Sequence, residues 1–324
     1  MCSLELSEAA TMEYIANTTE FQLHNTAVAL GKFEGLHRGH NLLLLELYKY
    51  HDQGLKSVML TFDLPPKAVI NNEYDRVIYT KEERKRILEQ TPLKCLVEYP
   101  FTPEFARLTP EEFVKTVLVG KFGAKRVVVG ADFHFGYKRS GNVEILKELS
   151  EKYGYELTVI PKLQDYGMDV SSSRIRKCLS VGNMEEANRL LGLPPFTVYG
   201  EVIHGKKLGS SILEMPTANQ VPPANKYLPP NGVYVSRIIY KDKIYYGISN
   251  IGVKPTVDDH IEKGLETYIF DFNEDLYGAF LEVQLLYYVR PEQKFASMEE
   301  LKEQMNQDAD FGRRYVQNLK TSIF

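Results

Sequence analysis

Two histidines stand close together near the N-terminus of the sequence, in the stretch ALGKFEGLHRGH. His37 and His40 are three positions apart, and Gly31, Gly35 and Gly39 surround them. Glycine lets a backbone approach a phosphate closely, and two imidazoles can share one anionic ligand. A glycine-rich turn with surface histidines explains so short a motif equally well, and for an arbitrary motif it is the commoner explanation. The residues alone therefore leave phosphate chemistry and a plain turn both open.

A second anion-binding pattern lies in VSSSRIRKCL, where three hydroxyls and an arginine open a predicted helix. Hydroxyls, free backbone N–H groups and a guanidinium suit the β- and γ-phosphates of a nucleotide. A well-capped helix with an exposed arginine is the structural alternative. The residues concerned are Ser171, Ser172, Ser173 and Arg176.

Strand-like and helix-like segments alternate through the first half of the chain. This order predicts crossover connections and an open α/β nucleotide-binding fold with a parallel sheet. In such folds ligands collect beyond the carboxyl ends of the strands, where the histidine stretch would lie. The predicted strands are 26–31, 57–62, 95–101, 126–132 and 155–161, and the predicted helices are 40–50, 81–90, a helix with Thr109 as N-cap and Pro110 in its first turn, and 143–153.

The pattern changes to closely spaced β-branched and aromatic runs after residue 196. Short turns between such runs predict an antiparallel sheet or a small barrel. Ser297 and Glu300 form a capping-box pattern that opens a C-terminal helix. We therefore predict two domains, 1–186 and 187–324, with the junction around 182–196.

Composition narrows the class of protein. The net charge of −4 argues against a nucleic-acid binder held by a broad basic surface. The three cysteines, Cys2, Cys95 and Cys178, include no CxxC pair, which favours a reducing cytoplasm. The first 25 residues lack Lys and Arg, unlike a secretory signal, and no apolar run approaches the roughly 18 residues that span a bilayer. The sequence gives no indication of oligomeric state.

The histidine stretch resembles the GxFDGxHxGH signature of the nucleotidylyltransferase superfamily. That family transfers a nucleotidyl group from a nucleoside triphosphate to a phosphate and releases pyrophosphate. The resemblance implies that the histidines hold the triphosphate and stabilise charge on the reacting phosphorus. The matching residues are Gly31, Phe33, Gly35, His37, Gly39 and His40, and Glu34 replaces the aspartate of the signature with a longer carboxylate of the same charge.

Three further stretches agree with this family. VSSSRIR resembles its SSTxIR phosphate motif, and GADFHFG resembles its GxDFxFG element, which lines the flavin and nucleotide site. Asp132 and Phe133 inherit those roles by resemblance. Phe62 matches a TFxPHP-like stretch, although Pro65 replaces its histidine.

The β-rich half resembles the flavokinase pattern GxVxxGxxxGRxLGFPTAN. The resemblance implies that Thr217 and Asn219 bind Mg²⁺ and nucleotide phosphates, and that Gly205 and Gly209 belong to the nucleotide-facing flap. Neutral oxygen ligands combined with phosphate oxygens suit Mg²⁺. Without its neighbours, PTAN is simply a turn.

The elements NIGVKPT and LETYIFDFNEDLYG match the same family. Glu266 maps onto the family's catalytic carboxylate, the general base for the ribityl 5′-hydroxyl as it attacks the γ-phosphate of ATP. A glutamate on a strand usually faces solvent, so the assignment depends on the surrounding motif. Arg290 falls near the implied flavin site.

The order of these motifs resembles the prokaryotic bifunctional riboflavin kinase/FMN adenylyltransferase family. The resemblance implies a Rossmann-like N-terminal nucleotidyltransferase domain and a C-terminal antiparallel flavokinase barrel with a terminal helix. It implies riboflavin, FMN and FAD as substrates and products, with ATP as co-substrate and Mg²⁺ as cofactor. Two alternatives stay open: a nucleotidylyltransferase for another phosphate compound, and a β-domain that binds flavin without catalysis.

The sequence departs from the family chiefly in GSSILEMPTAN. Ser210, Glu214 and Met215 replace the expected arginine, glycine and phenylalanine. Glu214 brings a negative charge beside the expected ATP phosphates and lacks the conformational freedom of glycine. We predict a working kinase with weakened ATP binding, and an unchanged ATP affinity in Glu214→Gly would contradict that explanation.

Overall fold

The computed structural model describes residues 11–64, 69, 76–192, 194–203, 217–255 and 261–321. The chain divides into two compact units, one formed by residues 11–75 with 84–170 and the other by 76–83 with 171–321. The segment 76–83 therefore belongs with the second unit, although the residues on both sides of it build the first. The predicted boundary between residues 186 and 187 stays a prediction.

The first unit is built on a six-stranded parallel sheet, as the alternating pattern predicts. Valine- and leucine-rich strands form its centre, because strands covered on both sides read as continuous apolar runs. The strands are β1 (Glu13–Ala16), β2 (Thr26–Leu30), β3 (Lys56–Phe62), β4 (Cys95–Tyr99), β5 (Ala124–Gly130) and β6 (Glu156–Ile160), with a hairpin of β7 (Gln164–Asp165) and β8 (Met168–Asp169).

The strand order is β1-β4-β3-β2-β5-β6, which puts β2 in the middle of the sheet between β3 and β5. The edge strand β1 and the β7–β8 hairpin have no counterpart among the predicted strands. The helices and 3₁₀ turns of this part of the chain are α1 (Arg38–Tyr48), His51–Gln53, α2 (Lys81–Glu89), Phe105–Arg107, α3 (Pro110–Glu112, continuing as the π-helix Phe113–Lys121), Tyr137–Arg139 and α4 (Val143–Tyr153).

The predicted start of α3 is confirmed in detail. Thr109 accepts the Glu112 N–H through its hydroxyl, and the Glu112 carboxylate accepts the Thr109 N–H, a complete capping box. Pro110 occupies the first turn, where its missing N–H costs nothing. The apolar side of this helix enters the core of the unit, with Val114 and Leu118 fully buried.

The second unit is an antiparallel six-stranded sheet, which confirms the predicted β-rich fold. Its order is β10-β13-β12-β11-β14-β9, and the core includes Tyr234, Ile238 and Leu265. The elements are α5 (Ser172–Ser180), α6 (Met184–Leu191), β9 (Thr197–Glu201), β10 (Thr217–Gln220), β11 (Gly232–Tyr240), β12 (Lys243–Pro255), β13 (Ile261–Ile269), β14 (Phe280–Pro291) and the terminal helix α7 (Met298–Thr321).

The sheet curls until its two outer strands meet. Just beyond β9, the Ile203 N–H donates to the Asn219 carbonyl of β10 at 2.8 Å. The Gln220 side-chain amide also donates to the Gly200 carbonyl at 2.8 Å, and we call these contacts between the ends of β9 and β10 the β9–β10 seam. These bonds close the sheet at the level of β10, the strand that carries Thr217 and Asn219.

Candidate active sites

The histidine stretch forms the turn between β2 and α1 in the first unit. Its left-handed residues are not glycines: Phe33 has φ of +45° and Leu36 has φ of +41°. Non-glycine residues seldom adopt this region, and strained backbone of this kind clusters at functional sites. Both side chains are buried, Phe33 completely, so packing holds the turn in its strained form.

The two histidines open α1 as a stacked pair. His37 is the N-cap residue, and its Nδ1 accepts the His40 backbone N–H at 3.3 Å. The two imidazole rings lie 3.7 Å apart between centroids and nearly parallel. The ring of Phe33 packs 5.0 Å from that of His40. One helix N-terminus therefore holds both rings in a fixed arrangement.

Burial keeps both rings neutral near pH 7. It lowers the pKa of His37 to about 4, although the carboxylate of Asp132 opposes the shift. Burial and the neighbouring His37 lower the pKa of His40 well below its usual value. The Nδ1 atom of His40 is buried and has no hydrogen-bond partner among the residues that the structure describes. Perturbed imidazoles of this kind are typical of functional sites.

Two glycines of the stretch lie tightly against neighbouring rings. A Cβ on Gly39 would lie 3.1 Å from Nδ1 of His37, and a Cβ on Gly31 would lie 3.1 Å from the ring of Phe33. Glycine at position 39 thus lets the His37 ring fold over the first turn of the helix. We expected these glycines to admit a phosphate, and the structure adds that they admit the histidine and phenylalanine rings.

Asp132 and Phe133 follow β5 at the carboxyl edge of the sheet. The Asp132 carboxylate is exposed and lies 3.3 Å from Nζ of Lys162, which follows the neighbouring strand β6. The same ammonium lies 3.1 Å from Asp169. The ring of Phe133 stacks on Phe135 at 5.7 Å. Charged and aromatic groups thus gather at the edge where such folds bind ligands.

Phe62, the last residue of β3, belongs to an aromatic cluster. Its ring meets Phe101 at 4.9 Å and Phe105 at 5.5 Å, both edge to face. The ring is half-buried, so part of it remains accessible. Pro65, three residues later, lies outside the described residues.

The serine-rich stretch opens α5 in the second unit. Ser171 is the N-cap, and its hydroxyl accepts the Arg174 N–H at 3.3 Å. Ser173 is exposed, and Ser172 and Arg176 are half-buried. The predicted capped helix is therefore present. Its first turn offers hydroxyls, as an anion site at a helix N-terminus needs.

Two adjacent strands carry the predicted residues Thr217, Asn219 and Glu266, and the next strand, β12, adds Asn250. Asn219 on β10 lies directly opposite Glu266 on β13, and Glu266 lies directly opposite Asn250 on β12. The Thr217 hydroxyl donates to Oε1 of Glu266 at 2.7 Å. Glu266 is half-buried and Asn219 is buried. A carboxylate thus sits among neutral oxygen and amide groups on one face of the sheet.

Arg290 on β14 is engaged by the terminal helix. Its Nη2 lies 2.6 Å and its Nε 3.1 Å from Oδ2 of Asp308, whose side chain is 5% exposed. The guanidinium also lies over the ring of Phe295. Its role near a flavin stays a prediction. The remaining predicted positions of the kinase half, Gly205, Gly209, Ser210, Glu214 and Met215, lie outside the described residues.

Sequence reasoning missed three groups beside these sites. Asn250 stands in the NIGVKPT motif that we quoted, so the motif itself was the signal. No sequence signal pointed to Lys162 or to the ion pair in which Nη1 of Arg38 lies 3.0 Å from Oδ1 of Asp165, because both depend on where the β7–β8 hairpin folds. Within the described ranges, no cluster of three His, Cys, Asp or Glu side chains could hold a metal, and no helix is long and apolar enough to cross a membrane.

Two protein-family models match successive parts of this chain. Residues 19–174 match the FAD synthetase family model, and residues 193–316 match the riboflavin kinase model. The bifunctional riboflavin kinase/FMN adenylyltransferase of Buchnera aphidicola subsp. Acyrthosiphon pisum (strain APS) is 36% identical over 296 residues, 90% of this chain and 93% of the relative. The Escherichia coli (strain K12) protein of the same name is 33% identical over 304 residues, 93% of this chain and 96% of its own.

A solved structure shares the whole fold. The crystal structure described as a macrolide-efflux protein from Streptococcus pneumoniae has a TM-score of 0.82 and 32% identity, over 93% of this chain and 99% of its own. Family models on both halves, full-length relatives and a common fold lead to one conclusion: this chain belongs to the bifunctional riboflavin kinase/FMN adenylyltransferase family.

Proposed function

We propose that this chain makes FAD from riboflavin in two steps, with a separate set of residues for each. The C-terminal half phosphorylates riboflavin with ATP to give FMN and ADP. The N-terminal half transfers AMP from a second ATP to FMN, giving FAD and pyrophosphate. The observation that carries the residue assignment is the contact of Thr217 with Glu266 at 2.7 Å, on strands that hold none of the histidines.

In the kinase step, Glu266 is the general base. Its carboxylate accepts the proton of the ribityl 5′-hydroxyl while that oxygen attacks the γ-phosphorus of ATP. The hydrogen bond from Thr217 holds the carboxylate, and the buried Asn219 faces it from the neighbouring strand. Arg290 contributes at the flavin side by holding the terminal helix through Asp308.

Thr217 and Asn219 would hold Mg²⁺ in this step. They supply neutral oxygens, and Mg²⁺ prefers few protein ligands together with phosphate oxygens and water. The lack of an acidic or histidine cluster among the described residues fits this mode of binding better than an all-protein cage. When bound, the ion neutralises charge on the ATP phosphates. Gly205 and Gly209 are proposed to cover the nucleotide.

In the adenylyl transfer step, His37 and His40 contact the triphosphate of ATP. FMN phosphate attacks the α-phosphorus and pyrophosphate leaves, so the enzyme needs positioned donors rather than a covalent intermediate. Gly31, Gly35 and Gly39 shape the turn around the phosphates. Ser171, Ser172, Ser173 and Arg176 bind the β- and γ-phosphates, and Phe62, Asp132 and Phe133 contact the flavin.

The two steps separate under mutation. Glu266→Gln should lower riboflavin phosphorylation about 100-fold or more, the typical contribution of a general base, and leave FMN adenylylation intact. His37→Ala combined with His40→Ala should do the reverse. Product formation is followed by chromatography of riboflavin, FMN and FAD in the presence of ATP and Mg²⁺.

Matched controls exist for both variants. Glu282→Gln alters another half-buried carboxylate on a strand of the second unit, and His51→Ala alters a histidine at the opposite edge of the parallel sheet. Neither should change either activity by more than a few-fold. Loss of both activities in a folded Glu266 or histidine variant would contradict the assignment of two independent residue sets.

Both proposed steps depend on Mg²⁺. Removing Mg²⁺ with EDTA should stop both steps, and adding it back should restore them.

We assign the enzyme to the cytoplasm, where the free cysteines Cys95 and Cys178 would stay reduced. The net charge of −4 fits small-molecule substrates better than nucleic acid.

A further inference from the structure

A lysine ammonium is fully buried in the second unit. The side chain of Lys226 is 0% exposed, and that of its partner Glu83 is 2% exposed. Nζ donates to Oε2 of Glu83 at 2.6 Å, to the Ile78 carbonyl at 2.7 Å and to the Thr197 carbonyl at 2.6 Å. Each ammonium proton therefore has an acceptor. A buried charge pair rarely improves stability over apolar packing, so its directional bonds call for a separate explanation.

Glu83 belongs to the segment 76–83, which is built into this unit by its backbone. The Val77 N–H donates to the Asn225 carbonyl at 2.7 Å, and the Tyr227 N–H donates to the Val77 carbonyl at 2.8 Å. Tyr79 is 1% exposed, and its hydroxyl donates to the Pro195 carbonyl at 3.1 Å. The segment thus presents Glu83 from a fixed position.

The second carboxylate oxygen of Glu83 reaches the sheet. Oε1 accepts the backbone N–H of Tyr199 on β9 at 3.0 Å. On its other side β9 pairs with β14, where Tyr199 lies opposite Glu282. Glu83 therefore satisfies a backbone donor that the described strands leave unpaired. An edge strand fixed in this way resists slippage, which would turn its side chains to the opposite face.

The strand held by Glu83 is the one that closes on β10. Four residues after Tyr199, the Ile203 N–H bonds the Asn219 carbonyl, and the Gly200 carbonyl accepts the Gln220 amide. Among the described strands, β10 otherwise pairs with β13 alone, so the β9–β10 seam fixes its other side. The position of β9 therefore bears directly on the strand that presents Thr217 and Asn219.

We infer that Glu83 is a positioning residue for riboflavin phosphorylation: with its buried charge balanced by Lys226, it fixes the β9–β10 seam and thereby holds Thr217 and Asn219 for ATP. Both side chains are buried, so we assign them no contact with the substrate. The inference rests on the nucleotide-binding role proposed above for Thr217 and Asn219. It means that a segment from the first half of the sequence tunes the kinase reaction.

Two double variants separate the hydrogen bond from the charge. Glu83→Gln with Lys226→Met removes both charges and keeps an oxygen that can accept the Tyr199 N–H. Glu83→Leu with Lys226→Met also removes both charges but removes that acceptor. Because neither leaves a buried unpaired charge, both should fold. The measurements are kcat and the KM for ATP of riboflavin phosphorylation by the full chain, with thermal unfolding recorded in parallel.

The expected result is a split between the two variants. The Leu/Met variant should raise the KM for ATP about tenfold, as expected for a displacement of binding groups by a fraction of an ångström. The Gln/Met variant should stay within about twofold of the parent. FMN adenylylation should be the same in both. The control is Ile238→Val, a fully buried change in β11 that lowers stability without touching the seam.

Equal KM values in the two double variants would overturn the inference, and so would a similar rise in the Ile238→Val control. Thr217→Ala distinguishes this failure from failure of the proposed residue roles. If Thr217→Ala raises the KM for ATP and the Leu/Met variant does not, only the positioning inference is wrong. If Thr217→Ala has no effect on that KM, both are wrong.

Discussion

Replacing Gly39 by alanine would put a methyl group against the ring that caps α1. The added Cβ would lie 3.1 Å from Nδ1 and 3.2 Å from Cε1 of His37, whereas ordinary contact begins at 3.4 Å. His37 is only 8% exposed, so its ring has little room to retreat. The ring must shift by a few tenths of an ångström, and its stacking on His40 shifts with it.

The expected effect on stability is small because two contributions oppose each other. Alanine is favoured over glycine inside a helix by about 1 kcal/mol. Weakening the cap from His37 Nδ1 to the His40 N–H costs about 1 kcal/mol. The free energy of unfolding should therefore change by less than about 1 kcal/mol.

The expected effect on FMN adenylylation is much larger. A misplacement of about 1 Å in a reacting group can cost about 100-fold in rate. A shift of a few tenths of an ångström in both imidazoles should then lower kcat for FAD formation about tenfold, equivalent to roughly 1.4 kcal/mol of barrier. Riboflavin phosphorylation should not change, because its residues lie in the other unit.

Both activities and urea unfolding are measured on the same preparation of Gly39→Ala. Leu45→Ala is the control, since it changes an exposed side chain, 57% accessible, on the same helix. Full FAD formation by Gly39→Ala would refute the reasoning that the His37 ring is held against this glycine. A fall in kinase activity as large as that in FAD formation would refute the independence of the two residue sets.

Three further changes should give measurable effects. Burial lowers the folded-state pKa of His37 to about 4, so the unfolded chain takes up this proton first as the pH falls. The free energy of unfolding should therefore fall by about 3 kcal/mol between pH 6.5 and 4. Urea unfolding at several pH values should show that His37→Gln flattens this part of the stability–pH profile, and an unaltered profile would contradict the expectation. Arg290→Met leaves the buried Asp308 carboxylate unpaired and should cost roughly 3 kcal/mol, measured by thermal unfolding, whereas Arg290→Met with Asp308→Leu should recover most of it. Asn250→Ala removes an amide directly opposite Glu266 and should lower kcat/KM of riboflavin phosphorylation about tenfold, with FAD formation as the unaffected reference.

The sequence predicted those parts of the structure that depend on local patterns. The N-cap at Thr109, the strand before the histidine stretch and the antiparallel second half all follow from periodicity and from cap and turn residues. The motifs singled out Thr217 and Glu266, and the structure places these two residues in contact, although their catalytic roles stay a prediction.

Features that depend on distant parts of the chain could not be predicted in this way. The pairing of Val77 with Lys226 joins residues far apart in sequence, and a lysine in the proline-rich stretch VPPANKYLPP gives no sign that it will be buried. The left-handed residues near the histidines were also beyond reach. Glycines stand beside them, so local propensity points to the glycines, whereas packing assigns that conformation to Phe33 and Leu36.

The cap on α1 also selects one chemical form of a histidine. Nδ1 of His37 accepts the His40 N–H, so this nitrogen carries no hydrogen, and a neutral ring must then carry its proton on Nε2. The fold therefore supplies one tautomer at all times instead of a mixture. In the proposed adenylyl transfer, this tautomer gives the triphosphate a hydrogen-bond donor without a positive charge, so compensation of the phosphate charge is left to cationic groups elsewhere.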